Sequence, residues 1–151
     1  MKVAVLTESR ADYGVYLPLI RTMISDSRFT LQLMVTGMHL SSNHGFTIRE
    51  IEYQCNVWHK DILKPHWANS EYLIVLGDRR PMLEAAIEAA YEGIPVAHIQ
   101  GGDRTGTIDD PARHSITRFA HLHFPCTKES ADRLIRMGEE EWRIKVVGPL
   151  G

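Results

Sequence analysis

Six short apolar runs punctuate the chain: Val3-Ala4-Val5-Leu6, Leu31-Gln32-Leu33-Met34-Val35, Leu73-Ile74-Val75-Leu76, Val96-Ala97-His98-Ile99, Leu122-His123-Phe124 and Ile144-Lys145-Val146-Val147. Several are continuous rather than alternating, which is the pattern of strands covered on both faces in a parallel sheet. Amphipathic stretches with readable ends lie between them. In PMLEAAIEAAYEGIP, Pro81 suits the first helical turn, Gly93 the left-handed position after the last turn, and Pro95 blocks continuation. In DDPARHSITRFA, Asp110 is the expected N-cap and Pro111 the first helical residue. Thr127 is expected to cap KESADRLIRM, and Gly138 to close it. Tyr16 to Ile24, with Leu17, Ile20 and Ile24 on one stripe, predicts the helix after the first strand.

Strand and helix in alternation predict an α/β fold: a doubly wound, mostly parallel, Rossmann-like sheet with right-handed crossovers. Ligands of such sheets bind outside the carboxyl ends of the strands, so the loops after each strand are where chemistry is sought. Residues 45–71, GFTIREIEYQCNVWHKDILKPHWANSE, predict a short helix and a strand, then only a brief link with Pro65 before the strand at Leu73. A parallel crossover needs a dozen or more residues, usually a helix, so either the sheet is irregular there or a crossover helix has been lost. An apolar face left bare in this way would favour a homo-oligomer.

At 151 residues and 44% hydrophobic, the chain is sized for one domain over residues 1–151 with a filled core. The formal charge is −2 with both signs interspersed, which argues against a nucleic-acid partner and a membrane-surface patch. The start, MKVAVLTESRADYG, is too quickly interrupted by charge for a signal peptide, and no apolar run reaches membrane-spanning length. A cytoplasmic location is expected, in which Cys55 and Cys126, with no CxxC spacing, are packing thiols.

The loops after the strands are rich in charge. TESRADYG places Arg10 and Asp12 before a helix, suited either to a phosphate or to a solvated ion pair. TGMHLSSNHG carries His39 and His44, which read as surface residues or as site residues on the functional rim. In LGDRRP, Asp78 either caps a helix or projects into the cleft with Arg79 beside it. HIQGGDRTGTIDDPARHS holds Gly101 and Gly102, where the backbone can turn and approach a ligand, and Asp109 and Arg113 at a pairing distance of four residues. His121 and His123, two apart on a strand, are expected to face one side, as a buried pair or toward the cleft. Asp78, Asp103, Asp109 and Asp110 interleaved with arginines suggest proton transfer beside an anionic substrate. The same arginines oppose a cation, and no HExxH or CxxC exists, so no metal site is expected.

In order along the chain, SRADYG (9–14), VTGMHLS (35–41), VLGDR (75–79), PVAHIQGGDRTGTIDD (95–110), RHSITRFAHLHF (113–124), RMGE (136–139) and VVGPLG (146–151) resemble the amino-terminal half of UDP-N-acetylglucosamine 2-epimerases. The likeness is to the hydrolysing, sialic-acid-type branch. The resemblance implies one half of a glycosyltransferase-B type two-domain fold, with the carboxyl-terminal nucleotide-binding domain absent from residues 1–151. It implies elimination of UDP from a UDP-sugar substrate and hydration of the glycal to N-acetylmannosamine or a related sugar, without cofactor. By matching position, Asp78, Asp109, Arg113, Asp103 and His98 are the catalytic candidates, with His98 expected to open the strand end to the cleft. Arg10, Asp12, His39, Arg79, Gln100, Gly101, Gly102, His114, His121 and His123 are the substrate-binding ones.

Gln100 stands where that branch usually has a glutamate, and Asp103 where it has a second. A lone half is expected to bind weakly and turn over little, completed by a complementary carboxyl-terminal domain. Two alternatives stand beside this reading: a non-catalytic binding or assembly module of the same fold, and an epimerase for 6-deoxy-diacetamido UDP-sugars. A flavodoxin-like receiver or phosphatase is a third.

Overall fold

The computed structural model describes residues 1–54, 57–59 and 69–150, in two compact units, Met1–Leu73 and Ile74–Pro149. In the first unit, β1 (Lys2–Thr7) leads into α1 (Arg10–Ser25), β2 (Thr30–Val35), two short 3-10 turns, α2 (Ile48–Gln54) and β3 (Val57–His59). The strands lie in the order β3-β2-β1, all parallel. The β1–β2 ladder runs from Lys2 opposite Thr30 to Thr7 opposite Val35. β4 (Tyr72–Leu76) starts beside β1, where the Glu71 N–H donates to the Lys2 carbonyl at 2.8 Å. Val3 to Leu6 and Leu33 to Val35 are buried, as continuous apolar strands in a covered parallel sheet should be.

α1 begins at Arg10, well before the Tyr16 start that its apolar stripe predicts. Ser9 is its N-cap: the Asp12 N–H donates to Ser9 Oγ at 3.3 Å, and the Asp12 carboxylate accepts the Ser9 N–H at 3.2 Å. This capping box satisfies two helix-end donors at once and draws Arg10 and Asp12 into the first turn. The buried face is Tyr13, Tyr16, Ile20 and Met23, while Ile24 of the expected stripe is exposed. The helix and strand expected within residues 45–71 are present as α2 and β3. The link with Pro65, and the irregular sheet or lost crossover helix argued from it, lie outside the described residues, as does Cys55.

In the second unit, the end of β4 is followed by α3 (Arg80–Tyr91), β5 (Val96–Ile99), α4 (Asp109–Phe119), β6 (Leu122–Phe124) and α5 (Lys128–Arg136). The order is β4-β5-β6, with Ala97, His98 and Ile99 opposite Leu122, His123 and Phe124 in a parallel ladder. α3 packs on α4 and both pack on β5, around Met82, Ala85, Ala86, Val96, Ile99 and Ile116. Thr127 caps α5, accepting the Ser130 N–H at 3.1 Å, and Gly138 follows the helix end with φ +94°. The expected strand over Ile144–Val147 reduces to one bridge, Ile144 opposite His123. Lys145, Val146 and Val147 are exposed, so the segment lies along the sheet edge without a second ladder.

Candidate active site at the ends of β4 and β5

The second unit gathers charge where β4 and β5 end. β4 turns at Gly77, whose φ of +72° is open to glycine and strained for other residues. That turn delivers Asp78 to the start of α3. Asp78 caps nothing: the N-cap residue of α3 is Arg79, without a side-chain cap, and Pro81 occupies the first turn. The Asp78 carboxylate instead accepts from Nη2 of Arg113, a side chain of α4 buried to 7% exposure. Nη1 of Arg113 donates to Asp110 Oδ1 at 3.2 Å and to the Asp103 carbonyl at 3.0 Å.

Two sequence expectations are corrected here. Arg113 pairs with Asp78 and Asp110, not with Asp109, whose carboxylate accepts from the Thr107 hydroxyl at 2.8 Å. Asp109 is itself the first residue of α4, so a four-residue spacing places it above the helix end, where Thr107 is nearer. Asp110 is not the N-cap, which falls on Ile108. Its carboxylate is turned back onto the preceding loop, accepting the N–H groups of Thr105 at 2.7 Å and Gly106 at 2.8 Å and the Thr105 hydroxyl at 2.9 Å.

These surroundings separate the two carboxyls. Burial raises Asp78 above the ordinary carboxylate range, outweighing the pull of Arg113, and the nearby Asp109 charge adds to the rise. The backbone N–H of Thr105 leads the donors that hold Asp110 at about 2. One carboxyl is thus disposed to exchange a proton and the other to stay ionised, which is the arrangement acid–base chemistry uses.

The glycine loop is anchored from below. Gln100 has φ +61°, in the left-handed region, and its N–H donates to the Phe124 carbonyl at 3.0 Å. A Cβ on Gly102 would collide with the Ser130 carbonyl of α5, so the close approach of loop and helix requires glycine. Arg133 donates to the Gly102 carbonyl, and the Ser130 hydroxyl donates to the Asp103 carboxylate at 2.5 Å. Asp103 therefore faces α5 through its side chain and Arg113 through its carbonyl.

The histidines divide. His98 is fully buried, donating from Nε2 to the Gly77 carbonyl at 2.7 Å, so the expectation that it opens the strand end to a cleft fails. His121 and His123 do not share surroundings. His121 precedes β6, is exposed, and accepts the Val96 N–H at 3.3 Å, at the amino end of β5 and away from Asp78. His123 is buried in β6 and contacts Glu139 at 3.2 Å, while Glu139 also holds Arg118 at 2.7 Å. His114 is half-buried and borders a depression of about 340 Å³ with Ser115, Arg118 and Met137. Sequence reasoning misses Thr117 and Ser130, and takes Asp110 only as a helix cap and one of four acids on the rim. The i,i+3 spacing of Asp110 and Arg113 is the signal that could have found their pairing.

In the first unit, Arg10 is exposed in the first turn of α1, and Asp12 completes the capping box. His39 is not a surface residue: it is fully buried, with Nε2 3.0 Å from the Thr7 hydroxyl and Nδ1 2.7 Å from that of Thr47. His44 is exposed against Ser41. Among the described residues no group of three His, Cys, Asp or Glu is arranged to hold a metal ion.

The sequence profile of the UDP-N-acetylglucosamine 2-epimerase family matches residues 21–151. The chain belongs to that family. The chain is 35% identical to a hydrolysing UDP-N,N'-diacetylbacillosamine 2-epimerase of Legionella pneumophila, over 99% of this chain and 46% of the relative. It is 29% identical to a UDP-N-acetylglucosamine 2-epimerase of Neisseria meningitidis, over 97% of this chain and 45% of the relative. The crystal structure of UDP-GlcNAc 2-epimerase from Neisseria meningitidis bound to UDP-GlcNAc superposes with a TM-score of 0.85 at 19% identity, covering 99% of this chain and 47% of that one. The chain therefore has the doubly wound α/β architecture of about half of a glycosyltransferase-B type epimerase, and spans about half the length of the curated relatives it matches. The match to the Legionella member runs over 174 residues, so at least 23 of its positions have no counterpart in the 151 of this chain.

Proposed function

We propose that this chain is the amino-terminal, Rossmann-like half of a hydrolysing UDP-sugar 2-epimerase, acting with a complementary carboxyl-terminal domain. The observation that carries the reading is Asp78, a carboxyl raised by burial and held by the buried Arg113 at the carboxyl end of β4. In the proposed reaction a base takes the C2 proton of UDP-N-acetylglucosamine, the C1–O bond breaks, and the electron pair leaves with UDP. The 2-acetamidoglycal then gains a hydroxyl at C1 and a proton at C2 from the opposite face, giving N-acetylmannosamine. Asp78 suits one of the two proton transfers, because a raised pKa keeps acid and base forms both accessible. Arg79, next to Asp78 in the chain, is a candidate for the diphosphate.

Sialic-acid precursor synthesis in the cytoplasm fits this product, and a reducing compartment fits the free thiol of Cys126. A 6-deoxy-diacetamido UDP-sugar is the second substrate reading, favoured by the 35% identity to the Legionella enzyme. The test is UDP release from both UDP-sugars by the protein, with and without its second domain. Asp78→Asn should lower kcat by about 10²–10⁴-fold, the usual worth of a general acid or base. Absence of release and of UDP binding under every condition would leave the alternative of a non-catalytic module. Turnover rescued by Gln100→Glu, which puts a carboxyl beside the glycine loop, would instead locate the defect at that position.

A further inference from the structure

A closed circuit of contacts surrounds Asp78. Its carboxylate accepts from the Arg113 guanidinium. The Arg113 carbonyl, on the same residue, accepts the Thr117 hydroxyl at 3.1 Å, and Thr117 Oγ1 lies 3.4 Å from His98 Nδ1. The other ring nitrogen, Nε2, lies 2.7 Å from the carbonyl of Gly77, the residue before Asp78. A carbonyl only accepts, so Nε2 must carry the proton. The Gly77 N–H donates to the Ile99 carbonyl at 2.9 Å, so β5 grips the Gly77 residue through both its N–H and its carbonyl.

We propose that His98 is a positioning residue for Asp78: a neutral imidazole protonated on Nε2 that pins the Gly77 turn and thereby presents the Asp78 carboxylate to Arg113. The inference rests on the reading of Asp78 as the proton-transfer group. Its own action runs through Gly77, since a fully buried ring cannot meet substrate. The Gly77 backbone, at φ +72°, is open to many conformations and needs an external hold to keep one. The ring is confined for this purpose: a Cβ on Gly101 would lie 2.9 Å from Nδ1, so the glycine loop is packed directly against it. The charged and titratable groups around it are Arg113 and His114 of α4 and His123 of β6, all of which oppose a second proton. Burial acts in the same direction and more strongly, holding His98 at about 4.

Two variants separate the role from mere filling of space. The side-chain amide introduced by His98→Gln can place its nitrogen near the Nε2 position and keep a donor to Gly77, whereas His98→Phe fills the site without one. Nitrogen-15 NMR of the full chain should show His98 neutral with the proton on Nε2. The Arg113 guanidinium resonances should shift in His98→Phe and return in His98→Gln. A proton on Nδ1, a cation at neutral pH, or Arg113 resonances unmoved in His98→Phe would overturn the proposal.

In turnover, His98→Phe should lower kcat about 100-fold, the scale expected when a reacting group is displaced by an ångström. KM should stay within about threefold, and His98→Gln should recover most of the loss. Loss carried by KM, or equal loss in both variants, would also overturn it. A wild-type protein without turnover would sink the functional reading alone, because the tautomer and the Arg113 resonances are read without substrate.

Discussion

Asp78 and Asp110 meet one buried guanidinium from different surroundings, and the pH dependence of stability should show both. Asp110 is lowered from 3.8 to about 2, so the fold favours its ionised form. Its contribution is present above the ordinary value and is lost as pH falls through about 2. Asp78 is raised from 3.8, so the sign reverses: its contribution is present below that value and is lost as pH rises through the raised one. Thermal unfolding across a series of acid pH values should therefore lose part of its steepest acid limb in Asp110→Asn, and part of its decline above 3.8 in Asp78→Asn. Removing the shared cation is a harsher change. Arg113→Met leaves Asp78 half-buried without a counter-charge and should cost about 3 kcal/mol by chemical denaturation, as breaking buried ion pairs does. A cost near zero would mean that water already screens the pair.

At the scale of elements, the ends of helices decide where the polar side chains stand. Ser9→Ala removes one arm of the capping box of α1 and should lower stability by about 1 kcal/mol, measured by thermal unfolding, with fraying of the turn that holds Arg10 and Asp12. Sequence reasoning places Arg10 and Asp12 ahead of the helix and misses the box that Ser9 and Asp12 form. The apolar stripe from Leu17 to Ile24 was the stronger pattern, and it set the expected helix too late. β5 and β6 were legible to the residue, because continuous apolar runs bounded by Pro95, Gly101 and Pro125 admit little else. The partner of Arg113 was not. Helical spacing favours Asp109 at four residues, while the winning partner, Asp78, is 35 residues away and is brought in by the β4 turn. Local rules also gave Asp110 to its own helix, when the loop at Thr105 and Gly106 offered it more donors. Sequence pattern reports local geometry well and long-range pairings of charge poorly: residue spacing and the family resemblance alike gave Arg113 to Asp109.

At the scale of the molecule, the chain is about half of what its relatives carry, and the second unit already holds a formed Asp78–Arg113–Asp110 arrangement. The contacts described for that arrangement, from the Gly77 turn to the loop closed by Asp110, lie inside Ile74–Pro149. Its geometry should therefore persist without a second domain, while affinity for a nucleotide should not, since a UDP-sugar bound on one side keeps much of its surface in water. Calorimetry of this chain alone with UDP should give a dissociation constant in the range of about 1 mM or weaker, worth roughly 4 kcal/mol. Adding a complementary carboxyl-terminal domain of the family in trans, as the proposed function requires, should tighten UDP binding at least tenfold, a gain of about 1.4 kcal/mol. UDP release should appear only in that mixture, and Asp78→Asn should slow the release about 10²–10⁴-fold while leaving the tightened binding largely intact. Equal affinity with and without the second half would mean that the nucleotide is held by this chain's own residues, and would move the search for its site back to the first turn of α1 around Arg10.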